Sequence, residues 1–551
     1  MEVTLIAIVG VVSIVAVAVF SRLLGLAAPL TLVVVGIGLS FVPGVPAYAA
    51  DPDWVLAGVL PVLLYAAAVN MPVRDFRRDL GSIGGLAVLL VAVTTLGAGW
   101  LVHLLIPGLA WPAAFALGAV VSPTDAVAAT SVGRRLGLPS RLLTLLEGEG
   151  LMNDASALVL LRAAIAAMAA SVSVLEVAGT FVVSVAVAAA IGIAVGLVNV
   201  RVRALLHDPV LSTAISFVVP FLAFVPAEEM EDSGVLAVVV TGLVTGHLSP
   251  RLLRAQDRLG EAMNWRTLAF LLESAVFLLM GFGLKALFDE ASAHENGMGA
   301  WRAVLYGLTL TGLVIAVRVM FMLPLVAMVR RDESKAATAL RPFVDRRRAR
   351  PAAAGTELRR DEAIGWRGGA VLAWSGMRGA ITVAAAQTLP EDTPYRPQLL
   401  LMAFVVAATT LLLQGVTLPV VIRAVRVPYD DATRLRKEYG QLLTELTDAA
   451  NRALEVQAAR DDINPELSEL VWAHSLVRPA HGGGRRAPIA SDHARGAYLR
   501  LRLEVTATQR TALRKARSAG VYSSRALSDA QHLLDLEEAR LQQVSDRFGR
   551  A

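Results

Sequence analysis

Long apolar runs, separated by short polar connections, fill the first 425 residues of the chain. A helix needs about 20 apolar residues to cross roughly 30 Å of hydrocarbon. About thirteen segments meet or approach this length, and they predict an all-α polytopic membrane protein. The predicted spans are residues 4–20, 27–43, 54–70, 82–106, 112–132, 143–168, 174–200, 208–225, 233–248, 266–288, 302–329, 368–389 and 397–424.

Positive charge is concentrated in alternate connections between these spans. The stretches Arg74–Arg78, Arg134–Arg141 and Arg330–Arg367 are basic, whereas Pro43–Asp53 and Pro226–Asp232 contain no Lys or Arg. Basic connections face the cytoplasm by the positive-inside rule. We therefore expect a cell-membrane protein with its N-terminus outside and its C-terminus in the cytoplasm. This asymmetry accounts for much of the net charge of +5, so the charge is no argument for a nucleic-acid partner.

The composition changes after the last predicted span. The first region, residues 1–425, accounts for most of the 55% hydrophobic content, and residues 426–551 are rich in charges of both signs. The pattern predicts a cytosolic helical region with helices at 431–459, 466–477, 497–518 and 524–548. It is either a regulatory or dimer-contacting domain or a solvated tail. The chain has no Cys, which excludes disulfides and Cys-based metal sites.

Polar residues interrupt the fifth predicted span at Ser122-Pro123-Thr124-Asp125. Pro123 has no backbone N–H to donate and disturbs the helix at this point. The interruption frees backbone carbonyls next to a hydroxyl and a carboxylate. At membrane depth such groups are tolerated only where they line a protected cavity, and the plain alternative is a proline kink with a capping Asp.

Carboxylates also occur within the sixth predicted span, in the segment Glu147-Gly-Glu149-Gly150-Leu-Met-Asn153-Asp154. Residues three, four or seven apart share a helix face, so Glu147 and Gly150 align with Asp154. A charge at this depth costs about 2.5–3.5 kcal/mol even on the lenient insertion scale. Asp154 is therefore predicted to hold a proton or a cation.

A third unusual segment, Gly376-Met-Arg378-Gly379, lies within the twelfth predicted span. Glycine weakens a helix, and an arginine at this depth requires a carboxylate or carbonyl partner. Spans 4–6 and 11–13 run in opposite senses on the predicted topology, and each set contains one interrupted helix. Such matching positions are typical of inverted repeats whose discontinuous helices cross at an ion site.

Two further charges lie within predicted spans outside these segments. Glu273 and Arg318 have similar predicted depths on adjacent spans, and a long arginine side chain can reach across the difference. We expect a structural ion pair between them; the alternative is a direct role in the ion path. Arg162 and His103 are predicted to be interfacial or structural.

The segments at 122–126, 147–155 and 376–380 together resemble the signature motifs of the monovalent cation:proton antiporter family, the sodium/proton exchangers, in its prokaryotic NhaP-like branch. This resemblance implies an elevator-type transporter rather than an enzyme, and a homodimer in lipid. It implies that Asp154 carries the proton and the cation, next to Asn153, and that Thr124 and Asp125 belong to an unwound crossing. It also implies that Arg378 pairs with Glu149.

Two positions depart from the family pattern. Gly150 stands where many prokaryotic members have Ser, and Ala66 stands where many have Glu. The cation is then expected to bind Asp154, the carbonyls near Thr124, and water. Sodium is the favoured ion, with potassium as the main alternative and lithium possible. Because Asn153 is neutral, we expect electroneutral exchange of one cation for one proton, serving pH and sodium homeostasis without a cofactor.

Two other classes of protein also place acids in membrane helices. A passive cation channel lines its pore with them, but it usually has rings of repeated subunits or a carbonyl filter, and neither is visible here. An intramembrane aspartyl protease needs a Gly-x-Gly-Asp setting that Asp125 and Asp154 lack.

Overall fold

The computed structural model describes residues 2–25, 27–43, 52–169, 173–206, 208–293, 298–345, 365–427, 432–460 and 492–548. Helices joined by turns and short connections account for these residues. The helical state follows from the apolar runs, because a segment in lipid must satisfy its backbone hydrogen bonds internally. The all-α polytopic class predicted from the sequence is confirmed.

Most helices before residue 430 are apolar. They are α1 (Glu2–Leu24), α2 (Ala28–Ser40), α3 (Leu60–Asn70, preceded by a π-helical stretch Trp54–Val59), α4 (Val73–Arg78), α5 (Leu80–Gly84, followed by a π-helical stretch Gly85–Leu90), α6 (Val91–Leu105), α7 (Trp111–Val121), α8 (Ala126–Arg135), α9 (Ser140–Ala169), α10 (Val174–Leu205), α11 (Pro209–Glu229), α12 (Gly234–Leu252), α13 (Ala255–Phe282), α14 (Leu284–Ala293), α15 (Ala300–Asp345), α16 (Trp366–Trp374), α17 (Ala380–Gln387) and α18 (Arg396–Val425).

In the described residues every predicted span coincides with one helix or with consecutive helices. Within the described ranges, nine helical stretches are long and apolar enough to cross a membrane, and shorter apolar helices lie at Gly10–Ser21, Ala28–Ser40 and Trp54–Asn70. The number of crossings and the inverted repeat stay predictions. The two interrupted spans do appear as pairs of short helices, α7 with α8 and α16 with α17.

The chain forms two compact units. The first comprises Met1–Leu252, Met263–Lys335 and Ile364–Pro428, and the second comprises Leu253–Ala262, Ala336–Ala363 and Tyr429–Ala551. The predicted boundary between residues 425 and 426 stays a prediction, since the second unit also includes the short stretch Leu253–Ala262.

The second unit contains α19 (Ala432–Arg460), α20 (Asp492–Ala519) and α21 (Ser524–Phe548). Their apolar sides bury a shared core of leucine and alanine that includes Leu442, Leu513 and Leu534. Asp535 accepts hydrogen bonds from Arg258 Nε (3.1 Å) and from Arg510 Nη2 (2.7 Å). Three of the predicted helices agree with the structure, and the fourth, residues 466–477, lies outside the described residues.

Candidate functional site

The first interruption separates α7 from α8. The helix α7 ends at Val121, and the backbone of Asp125 is extended before α8 begins. Asp125 Oδ1 accepts a hydrogen bond from Val127 N at 2.8 Å and so caps α8. A carboxylate at this position satisfies one of the free N–H groups of the first turn and also complements the positive end of the helix dipole.

The two interruptions touch each other. Asp125 N donates a hydrogen bond to Met377 O at 2.7 Å. A Cβ atom at Gly379 would lie 2.1 Å from Asp125 Oδ2 and 2.8 Å from Asp125 Cβ. Only a residue without a side chain fits there, so Gly379, which directly precedes α17, allows the Asp125 carboxylate to lie against its backbone. The predicted crossing of the two broken segments is therefore present.

Arg378 binds backbone carbonyls. Its Nε donates to Val121 O at 3.0 Å and its Nη2 to Ser122 O at 3.4 Å, and Nη1 contacts Gly376 O. The predicted pair of Arg378 with Glu149 is wrong. The interruption leaves the last carbonyls of α7 without intrahelical partners, and a cation is favoured at that end of a helix, so the guanidinium is already engaged there.

Glu149 pairs instead with Arg318 from α15. Arg318 Nη2 donates to Glu149 Oε2 at 2.8 Å and Nη1 contacts Oε1, and the two side chains are 1% and 2% exposed. Arg318 Nε donates to Leu372 O at 3.1 Å. A bidentate pair of this kind is among the stronger polar interactions in proteins. The predicted pair of Arg318 with Glu273 is therefore also wrong.

Gly376 makes this arrangement possible. A Cβ atom there would lie 2.3 Å from Arg318 Cδ and 2.6 Å from Arg318 Nε. The arginine side chain thus passes over Gly376 on its way to Glu149. The two glycines that flank Arg378 serve different neighbours, one the Arg318 side chain and the other the Asp125 carboxylate.

Thr124 links the first interruption to α9 through a chain of hydrogen bonds. Asn153 Nδ2 donates to Thr124 O and to Thr124 Oγ1, both at 2.9 Å. Thr124 Oγ1 in turn donates to Glu149 Oε1 at 2.8 Å. Within the described residues the Asn153 Oδ1 atom is buried without a hydrogen-bond partner. Asn153 therefore fixes Thr124, and its own carbonyl oxygen stays available.

Asp154 lies directly after Asn153 on α9. Its side chain is buried, and its charge is close enough to that of Asp125 for the two to interact. None of the described residues makes a hydrogen bond or an ion pair with its carboxylate. Glu149 and Asp154 thus differ in kind, since Glu149 is held by Arg318 and Thr124 while Asp154 is not held by any described side chain.

Gly150 has a structural reason in this chain. A Cβ atom there would lie 2.9 Å from Ala126 Cβ and 3.4 Å from Ala126 N. The glycine lets the start of α8 pack closely against α9. The serine expected from the family pattern does not fit this packing without movement of α8.

Three other predicted residues lie apart from this cluster or next to it. Glu147 contacts Arg134 at the end of α8, and the side chains are 24% and 66% exposed. Glu273 is half-buried on α13 and has no hydrogen bond or ion pair with any described residue. Pro123 lies within the first interruption, as predicted. The predicted roles of the site residues as ion ligands stay predictions.

Sequence reasoning missed a buried pair outside these motifs. Arg141 Nη2 donates to Asp79 Oδ1 at 2.7 Å, and Asp79 is 3% exposed. Both residues lie in connections classified from their positive charge alone. The signal available was a single acid, Asp79, directly after a run of arginines.

The structural roles expected for two other residues agree with their contacts. Arg162 Nη1 donates to Asp232 O at 3.0 Å, and its Nη2 contacts Glu228. The His103 ring stacks on Trp111 with centroids 3.8 Å apart, and its Nδ1 lies 2.8 Å from Leu109 O.

Comparison with known proteins gives consistent results. An uncharacterised Na(+)/H(+) exchanger of Mycobacterium tuberculosis strain H37Rv is 31% identical over 98% of this chain and 97% of its own length. A sodium, potassium, lithium and rubidium/H(+) antiporter of Bacillus pumilus is 28% identical over 71% of this chain and 57% of its own. The structure of the sodium proton antiporter MjNhaP1 from Methanocaldococcus jannaschii at pH 8 superposes with a TM-score of 0.56 at 14% identity. That match covers 77% of this chain and 99% of the other.

The model of the sodium/hydrogen exchanger transmembrane family matches residues 9–424, which include all three of the motifs described above. This multi-pass membrane protein belongs to the sodium/hydrogen exchanger family.

Proposed function

We propose that the protein exchanges a monovalent cation for a proton across the cell membrane, and that Asp154 carries both in turn. The observation that supports this most is the contrast between the two neighbouring acids of α9. Glu149 is held by Arg318 and Thr124, whereas Asp154 is buried without a bond to any described residue. An ionisable residue at membrane depth marks an ion or proton pathway by default.

The proposed exchange is electroneutral, one cation for one proton. Asp154 leaves one side of the membrane with a cation and returns with a proton, so the carried charge is the same in both directions. Asn153 is neutral and cannot titrate. Glu149 adds no second carrier because Arg318, rather than the expected Arg378, holds its carboxylate in a buried bidentate pair.

Sodium is the proposed ion, with potassium as the alternative and lithium also possible. In the proposal the cation binds the Asp154 carboxylate, with Asn153, Thr124 and water nearby. The name of the Bacillus pumilus relative includes potassium among its ions, so the preference between sodium and potassium differs within the family. The departures at Gly150 and Ala66 bear on this preference.

The remaining parts of the proposal follow from the family. They comprise alternating access of the elevator type, a homodimer in lipid, an outside N-terminus with a cytoplasmic C-terminus, and a role in pH and sodium homeostasis. Two opposing ion gradients supply the free energy, so the proposal involves no cofactor.

The test uses the purified full chain in liposomes that contain a pH-sensitive dye. A sodium gradient should drive proton movement in the opposite direction, and a proton gradient should drive sodium uptake. Asp154→Asn should lose this exchange while keeping a normal size-exclusion profile, because an amide cannot alternate between a proton and a cation. Glu391→Gln is the matched control, since Glu391 is exposed between α17 and α18 and should transport normally.

Exchange that persists in Asp154→Asn would contradict the proposed carrier. Sodium flux without proton movement would indicate a channel instead. A membrane potential supplies a second test, because about 100 mV is worth roughly 2.3 kcal/mol per net charge moved. A voltage that shifts the sodium/proton equilibrium point would contradict electroneutral exchange and would point to Asp125 or Glu147 as a second proton carrier.

A further inference from the structure

A small cleft of about 40 Å³ lies between the helix pair that follows α12 and the second half of the second broken helix. On one side it is lined by Val276 and Met280 of α13, and on the other by Ala380 and Val383 of α17. Gln387, at the end of α17, supplies its main polar group. The cleft thus follows α17 along its length, starting next to the crossing of the two interruptions.

Glu273 lies one turn before this cleft on the same face of α13. It precedes Val276 by three residues and Met280 by seven, and residues at these spacings share a helix face. On the opposite wall, Ala380 directly follows Gly379, which packs against the Asp125 carboxylate. The charges of Glu273 and Asp125 are close enough to interact. Glu273 is therefore placed where the cleft meets the crossing.

The contacts of Glu273 with its neighbours do not explain why a carboxylate is present at this position. Its expected partner, Arg318, is bound to Glu149 and Leu372, and none of the described residues supplies a hydrogen bond or an ion pair. A half-buried carboxylate without a partner is costly in a membrane protein, and such residues mark ion pathways. The apolar walls of the cleft also concentrate the field of this one charge.

We propose that Glu273 is a second cation-binding carboxylate, which attracts the transported monovalent cation into the cleft and holds it before it reaches Asp154. This inference rests on the proposed function and adds an entry residue to it. Glu273 does not take the place of the carboxylate missing at Ala66. Tyr65, the neighbour of Ala66, packs on Trp265 of α13 with ring centroids 5.1 Å apart. That contact places Ala66 about two turns of α13 before Glu273, at about 3.6 residues per turn.

The first experiment compares sodium dependence of exchange in liposomes for Glu273→Gln, Glu273→Asp and the wild type. Removal of the charge should raise the KM for sodium by at least about tenfold, which is the lower range for electrostatic concentration of an ion in a cleft. The maximal rate should change much less, because Asp154 is intact. Glu273→Asp keeps the charge and should restore most of the affinity, and Glu391→Gln again serves as the control.

The second experiment uses the natural absence of cysteine in the chain. Val383→Cys places one thiol in the wall of the cleft. A positively charged methanethiosulfonate reagent should label it faster than a negatively charged one. Adding Glu273→Gln should abolish that preference, whereas a structural role for Glu273 would leave it unchanged. Leu310→Cys, which is fully buried on α15, should label slowly with both reagents.

The outcomes separate the inference from the proposed function. Exchange absent from the wild type, or intact in Asp154→Asn, contradicts the proposed function itself. Normal wild-type exchange, with an unchanged KM for sodium in Glu273→Gln, overturns only the role of Glu273. If Glu273→Gln fails to fold, equal labelling of Val383→Cys by both reagents in the wild-type background overturns it.

Discussion

The two interrupted helices are stabilised at their interruptions by different kinds of residues. At the first interruption the side chains of Thr124 and Asp125 make the hydrogen bonds, the former to Glu149 and the latter to the start of α8. At the second interruption glycines provide space and Arg378 provides charge. One interruption therefore contributes negative and hydroxyl groups, and the other contributes room and a cation.

In each broken helix, a buried arginine from elsewhere in the chain donates a hydrogen bond near the C-terminal end of the first half. Arg378 donates to the last carbonyls of α7, and Arg318 donates to Leu372 O near the end of α16. The difference is that Arg318 also holds a carboxylate, Glu149, whereas the bonds of Arg378 go to neutral carbonyls. The comparison indicates that Arg318 combines two functions, closing a helix end and fixing an acid, and that Arg378 has only the first.

The largest effect should come from separating Glu149 and Arg318. Removing one partner of a buried pair leaves an uncompensated charge, so Glu149→Gln and Arg318→Met should each lower the free energy of unfolding by about 3–5 kcal/mol. The double variant should recover part of this loss. Denaturant unfolding in detergent measures the coupling. The cycle of Glu149→Gln with Arg378→Met should show a smaller coupling, and equal couplings would erase the distinction between the two arginines.

The next effect concerns the two glycines of the second interruption. Gly376→Ala and Gly379→Ala force a Cβ atom into Arg318 and Asp125 respectively, and overpacking of this kind costs about 1–3 kcal/mol. Thermal unfolding in detergent and sodium/proton exchange in liposomes should both decline. Gly312→Ala is the control, because a Cβ atom there meets no atom within 4 Å. Wild-type behaviour of both Ala variants would mean that the interruption tolerates displacement.

A smaller effect is expected at Gly150. Gly150→Ser adds the hydroxyl that many family members have, but its Cβ atom would lie 2.9 Å from Ala126 Cβ. We expect a loss near the lower end of overpacking costs, about 1 kcal/mol, and slower exchange rather than tighter sodium binding. The measurement is the KM and maximal rate for sodium. A lower KM with an unchanged rate would show that α8 adjusts and that the hydroxyl becomes a ligand.

The smallest effect is predicted for Thr410, whose Oγ1 accepts a hydrogen bond from Arg378 N at 3.1 Å. Thr410→Val leaves that buried N–H without this acceptor, and we expect a loss of about 1 kcal/mol. Thr410→Ser keeps the hydroxyl and should restore most of the thermal stability. A Thr410→Val protein as stable as the wild type would indicate that Arg378 is positioned by its side chain alone.

Both interruptions and the polar residues of α9 could be predicted from the sequence, because proline, paired glycines and charges are conspicuous in apolar segments. The partners of the arginines could not. Spacing along a helix gives the depth of Arg318 and Arg378, but it does not give the direction in which each side chain extends. Two arginines at similar depth had one nearby acid, Glu149, and only the lateral packing of α15 and α16 against α9 decided between them.

The tight fit at Gly150 was hidden for a related reason. A family pattern records which side chain is common at a position, but it does not record how closely the neighbouring helix approaches in one member. Here the distance from Ala126 to α9 excludes a Cβ atom. The packing of α8 against α9 therefore accounts for the absence of a hydroxyl at this position.

The position of Asp125 has a mechanical consequence for transport. Its carboxylate caps α8, its N–H is bonded to Met377, and its side chain fills the space left by Gly379. Neither broken helix can slide or rotate on its own without losing these contacts together. In the proposed exchange, we therefore expect the conformational change that carries Asp154 between the two sides of the membrane to displace both broken helices as one rigid body, with the hinge points located outside the crossing.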